Sequence, residues 1–243
     1  MDIHKILRQY AQKYETEDFL HADPSWFMHQ VSGKRNQETF AFIASCLSYG
    51  SRKQFFPKIQ YILDCSHGEV YDWVKLNDFE KNIPDNDDCY YRLYTNHTMN
   101  NFLHALKDLI DEYSSLEYFV RKHAKTGFTA VIAICKYFSS KDIEVIIPKD
   151  TTSACKRLCM FLRWMVRDES PVDLGLWSDI IDKCTLIMPL DTHVVQESVK
   201  LELLGNKSAS MSAAKKLTAK MSIIFPDDPL KGDFALFGYG VNH

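Results

Sequence analysis

Apolar side chains recur every three or four positions over almost the whole chain. Ile3, Ile6, Leu7 and Tyr10 form a first stripe, and Phe40, Ile43, Ala44 and Leu47 a second. Phe55, Ile59 and Ile62 make a third, and Phe102, Leu103, Leu106, Leu109 and Ile110 a fourth. Positions three and four apart share one face of a helix, so each stripe predicts an amphipathic helix. Further helices are predicted over about 128–138, 152–167, 192–204, 210–222 and 227–238. The breakers agree with this division. Pro24, with Asp23 as its cap, opens a short helix. Gly50 and Gly68 end the second and third stripes, and Gly238 and Gly240 close the last helix. Pro84–Asp88 reads as a loop, and Pro171–Leu190 as a mixed connection holding Trp177. Only the Val145–Ile147 triplet has β character, too little for a sheet. The pattern predicts an all-α protein, a single two-lobed helical domain over 1–243. The seam between lobes is expected where the helix starting near Thr152 hands over to the C-terminal helices.

Composition narrows the class. A hydrophobic share of 46% and an aromatic share of 13% are those of a packed globule, which sets disorder aside. There are 29 basic and 32 acidic residues, for a net charge of −3. Residues 1–150 carry 18 basic and 21 acidic side chains, and the remainder 11 of each, so neither part is a basic tail. Charges run through the first twenty residues, which lack the apolar core of a secretion signal. The longest apolar stretch, Phe128–Cys135, is far too short to span a membrane. The cysteines at 46, 65, 89, 135, 155, 159 and 184 are odd in number and scattered, as in a reduced, cytoplasmic protein. Cys155 and Cys159, or Cys65 with His67, lack the paired spacing of a metal site, and no metal is expected.

The run Met188-Pro189-Leu190-Asp191-Thr192-His193-Val194 carries the chemistry. Pro189 biases its predecessor to extended backbone, so a helix starts only after it. Asp191 then stands at the N-cap of a helix bearing Val195, Val199 and Leu203. Free backbone N–H groups and the helix dipole hold such a carboxylate ionised. It can steady a developing oxocarbenium ion or take a proton from an amine. An ordinary aspartate in this place is only a cap.

Leu190-Asp191-Thr192-His193-Val194, with Lys200-Leu201 and Leu203 beyond it, resembles the catalytic-aspartate segment of the endonuclease III family of helix-hairpin-helix DNA glycosylases. That family has Arg where Gln196 stands and Gly where Glu202 stands. The segment from Asp233 to Gly240 resembles the closing helix of the same superfamily, which follows the aspartate helix after one intervening helix. No cysteine follows residue 184, so the iron–sulfur cluster of endonuclease III is not expected. Strand-cleaving members need a lysine near the hairpin, and the run from Ile147 to Lys156 stands in that place. Ile147-Pro148 would open the hairpin, a Ser or Thr would cap the next helix, and Lys156 would fall in its first or second turn. The 35 residues from Lys156 to Asp191 resemble the archaeal 8-oxoguanine glycosylase branch. The glycines of the usual hairpin are missing, since none lies between Gly127 and Gly175. Arg163-Trp164-Met165-Val166-Arg167 and Val172–Trp177 resemble runs in a bacterial family without an assigned activity.

The resemblance implies a two-lobed helix-hairpin-helix glycosylase fold and base-excision repair of DNA, with an oxidised purine such as 8-oxoguanine as the base removed. Lys156 would attack the sugar and form a Schiff base, with Arg157 and Arg163 helping to keep its amine neutral. Asp191 would assist it. Asp233, Phe237 and Met160 would line the base pocket. Lys156, Met160, Arg163 and Arg167 fall on one side of their helix at helical spacing, which makes Arg163 and Arg167 candidates for the DNA backbone. A monomer with no cofactor is expected. The alternatives are a non-catalytic helix-hairpin-helix module that binds nucleic acid, and an α-helical protein-interaction domain in which Asp191 only caps.

Overall fold

The computed structural model describes residues 2–243. The chain runs α1 (Ile3–Tyr14), 3-10 turns at Glu17–Ala22 and Pro24–His29, α2 (Lys34–Leu47), α3 (Arg52–Ser66) and α4 (Val70–Lys75). After a 3-10 turn at Asp78–Lys81 come β1 (Cys89–Tyr91), β2 (Tyr94–Thr95), α5 (Asn96–Tyr113), α6 (Leu116–His123) and α7 (Gly127–Phe138). Then follow α8 (Lys156–Val166), a 3-10 turn at Lys183–Thr185, α9 (Thr192–Lys200), α10 (Met211–Ile224) and α11 (Lys231–Asn242). The protein is all-α apart from one small antiparallel hairpin, in which Cys89 pairs with Thr95 and Tyr91 with Tyr94. No helix among the described residues is long and apolar enough to cross a membrane.

The chain forms two compact units. One holds the described residues through Asp23, Lys125–Val131 and Thr151–His243; the other holds Pro24–Ala124 and Ile132–Asp150. The expected seam is therefore misplaced, because α8 belongs to the same unit as the C-terminal helices. The α1 segment joins them too, since its apolar stripe packs on α11.

In the unit built around α2–α6, Phe42 stacks on Phe138 with ring centroids 5.7 Å apart and packs against Phe102 at 6.0 Å, all fully buried. Glu38 is buried in this core and accepts the backbone N–H of Glu117, in the first turn of α6, at 2.7 Å. That bond offsets the cost of taking a carboxylate out of water. The hairpin was not expected. Its tip is Arg92, held at φ 54°, and Leu93. The Val145–Ile147 triplet forms no strand, and two of its residues are simply buried apolar side chains.

In the other unit Trp164 and Trp177 are both fully buried. Trp177 donates its backbone N–H to Met165 at 2.7 Å and packs edge-on against Phe161 at 5.2 Å. The segment after α8 thus folds back along that helix, and the two tryptophans, unassigned from sequence, are core. Gly238 and Gly240 do not terminate α11, which continues to Asn242. They admit neighbours instead. A Cβ at Gly238 would lie 2.3 Å from the Tyr14 ring of α1, and one at Gly240 would lie 2.6 Å from His193 of α9.

Candidate functional site

α8 begins later than its apolar pattern predicts. Ser153 pairs as an isolated bridge with Ser210, and Cys155 turns the chain at φ 47°. Lys156 is the first residue of the helix, and Cys155 caps it without a side-chain hydrogen bond. The expected Ser or Thr cap is not used. Nor is there a tight hairpin, because residues 139–155 separate α7 from α8. No glycine lies in that stretch; its left-handed residues are Asp142, at φ 53°, and Cys155.

Asp191 stands at the N-cap of α9 in extended backbone, as the sequence predicts. Its Oδ1 accepts the Val194 N–H at 2.8 Å. Its Oδ2 lies 3.4 Å from Lys156 Nζ. The Lys156 and Asp191 side chains keep 34% and 39% of their surface exposed, so the pair is open to solvent. An exposed ion pair adds about 0–1 kcal/mol to stability, so folding alone gives little reason for it.

Asp233, in the first turn of α11, completes the cluster. Its carboxylate pairs with Arg163 Nη1. Burial pushes the Asp233 carboxyl above the usual carboxylate range, and the neighbouring Asp191 carboxylate acts in the same direction; Arg163 and Lys156 oppose them. Three groups that the sequence singled out, one amine and two carboxylates, therefore share one neighbourhood.

Arg163 and Arg167 do not form a backbone-binding track. Both are buried, at 3% and 0% exposure. Arg163 Nε donates to Asp173 at 3.2 Å, while Arg167 binds Asp173 and donates from Nε and Nη2 to Asp228 at 3.0 and 2.8 Å. Arg167 Nη2 also reaches Glu15, just past the end of α1. Both guanidinium groups lie over the Phe234 ring, at 4.7 and 5.3 Å from its centroid. Burial weakens the charged form of each, but the surrounding carboxylates outweigh it and raise both pKa values. Helical spacing placed these arginines on one side of α8 correctly; what covers that side was not visible. Arg163 Nη2 has no hydrogen-bond partner.

Met160 lies one turn after Lys156 but is 6% exposed, packed into the core. Phe237 is partly exposed, one turn after Asp233, and meets Phe19 and Tyr14 edge-on at 5.1 and 5.6 Å. Sequence reasoning missed the buried acids Asp173 and Asp228. The available signal was a lone acid between apolar neighbours, Val172-Asp173-Leu174. Cys155 and Cys159 are buried thiols, with the Cys159 thiol pushed up by burial. Among the described residues no group of three or more His, Cys, Asp or Glu side chains is arranged to hold a metal.

No curated protein and no solved structure matches the chain. A family model matches residues 23–242, most of the length. The chain accordingly belongs to the family described as a protein of unknown function, DUF2400.

Proposed function

We propose that this protein is a DNA N-glycosylase related to the helix-hairpin-helix type, with a long connection in place of the tight hairpin and with lysine Schiff-base chemistry at Lys156. The approach of Lys156 Nζ to Asp191 Oδ2, 3.4 Å, carries the reading. The two residues lie 35 positions apart in sequence, at the starts of separate helices, and the pair is solvent-accessible.

The chemistry needs a nucleotide turned out of the duplex to reach the amine. Neutral Lys156 forms a bond from Nζ to C1′ of the sugar. The N-glycosidic bond breaks, and its electron pair leaves on the base, which picks up a proton. Asp191 takes the surplus proton from the alkylated amine and opposes the positive charge that develops on the ring. Asp191 returns that proton to the ring oxygen as the C1′–O4′ bond opens, which leaves the C1′ iminium and a C4′ hydroxyl; water then adds to the iminium and releases the lysine. Arg163 holds Asp233, whose carboxyl would give the departing base a polar contact. Arg163 is itself paired with two carboxylates, Asp173 and Asp233. An oxidised purine such as 8-oxoguanine is the substrate class of the branch this arrangement resembles.

Incubation with DNA carrying a panel of oxidised purines, then borohydride, tests the reading. A covalent protein–DNA adduct is expected from at least one lesion, and none from Lys156→Ala. No adduct and no released base from any lesion would leave only a helical binding module.

A further inference from the structure

The stretch between Leu203 and Pro226 plays no part in that chemistry. It holds Lys207, Lys215, Lys216 and Lys220 and no acid, in a chain whose net charge is −3. α10 buries one face and leaves Ser212, Lys215, Lys216, Ala219, Lys220 and Ile223 exposed, at the spacing of a single helical stripe. Like charges one turn apart on a helix, such as Lys216 and Lys220, cost a few tenths of a kcal/mol. Elsewhere Lys34, Lys107, Lys141, Lys183 and Lys200 each meet a carboxylate, while others, such as Lys53 and Lys136, are unpaired among the described residues, like those of α10. Among the described residues no carboxylate pairs with the three lysines of α10.

A groove of about 540 Å³ runs against this stripe, lined by Thr151, Phe128, Ser212, Lys215 and Lys216 among others. Lys215 Nζ sits over the Phe128 ring, 3.2 Å from its centroid. The groove is tied to the candidate site. Ser153 bridges Ser210, and Ala154 donates its N–H to Ala209 at 3.3 Å, so the segments leading into α8 and α10 run side by side. Lys156 opens the first of these helices.

We propose that the lysine stripe of α10 is a docking surface for the phosphate backbone of DNA, in place of the phosphate contact that a glycine-rich hairpin would make. The choice of DNA rests on the glycosylase reading above. Ammonium groups on flexible stems, with hydroxyls from Ser212 and Thr151 beside them, suit evenly spaced phosphates and carry no sequence preference. The stripe offers no Trp, Tyr or Arg, the side chains that anchor protein partners.

Fluorescence anisotropy of the full chain on a labelled duplex with a stable abasic analogue, across a salt series, tests this. Each phosphate contact adds about 0.9 to the slope of log affinity against log salt. Replacing Lys215, Lys216 and Lys220 together by Ala should flatten the slope by about 2.7, so that between roughly 50 and 200 mM salt the wild type loses about 40-fold more affinity than the variant. Replacement of all three by Arg should keep the slope. An unchanged slope in the alanine variant, or wild-type binding to anionic phospholipid vesicles and not to the duplex, would overturn the proposal. The two readings fail separately. A chain that binds with the steep slope yet never forms a borohydride adduct keeps this surface and loses the enzyme, and one that forms the adduct with a slope indifferent to the lysines does the reverse.

Discussion

Asp191 gives one carboxylate oxygen to the helix it starts and the other to Lys156: Oδ1 accepts from Val194 at 2.8 Å, and Oδ2 faces the lysine Nζ at 3.4 Å. Capping α9 and pairing with Lys156 are thus compatible at this residue. The cap fixes the side chain's rotamer, and the fixed rotamer aims the second oxygen.

That division makes the two roles separable. Asn is as good an N-cap as Asp, so Asp191→Asn should keep the α9 cap and the melting temperature while removing the charge beside Lys156. Base release should fall by roughly 10²–10⁴-fold, the usual range for a lost acid–base partner. Asp191→Ala should lose the same activity and about 1 kcal/mol of stability besides, measured by urea unfolding. Equal activity in wild type and Asp191→Asn would reduce the residue to a cap.

Arg167 is a structural charge. It faces Glu15, Asp173 and Asp228 with 0% of its surface exposed. Arg167→Met should cost about 3–5 kcal/mol, because three carboxylates lose their common partner in a place they cannot easily solvate. Chemical denaturation reads this directly. A loss under 1 kcal/mol would mean that the acids relax into solvent.

Gly238 tests the packing of α1 on α11. A Cβ there would sit 2.3 Å from Tyr14 and 3.1 Å from Tyr10. Gly238→Ala, although it improves helix propensity, should destabilise by about 1–3 kcal/mol through overpacking. A rise in melting temperature would show that the tyrosines give way freely.

The raised Asp233 carboxyl predicts a pH dependence of stability. Between the ordinary carboxylate range and the native value, the folded chain holds a proton that the unfolded chain has released. Stability therefore falls as pH rises through that window, and the penalty is complete above it. Asp233→Asn does not titrate, so its stability relative to wild type should climb with pH across the same window. Urea unfolding at a series of acidic pH values measures this, and a difference independent of pH would contradict it.

What the sequence disclosed, and what it did not, follows the reach of each interaction. The Asp191 cap is written in neighbouring residues: a proline two before, an apolar helix after. The helical stripes are equally local, and so the helices fall close to where they are expected. The fate of Arg163 and Arg167 is not local. Asp228 and Glu15 stand 61 and 152 positions from Arg167, and spacing along α8 says nothing of what packs on it. The late start of α8 depends on the Ser153–Ser210 bridge, again a distant partner. The hairpin at Cys89–Thr95 escaped because its strands are shorter than any alternation can reveal.

The most direct test is to locate the covalent bond. Wild-type protein would be reduced with borohydride on DNA bearing an abasic site, digested, and the modified peptide sequenced by mass spectrometry. The deoxyribose adduct is expected on Lys156, and Asp191→Asn should form far less of it. An adduct on another lysine, or on the chain's terminal amine with Lys156 unmodified, would contradict the assignment of Lys156 as the nucleophile.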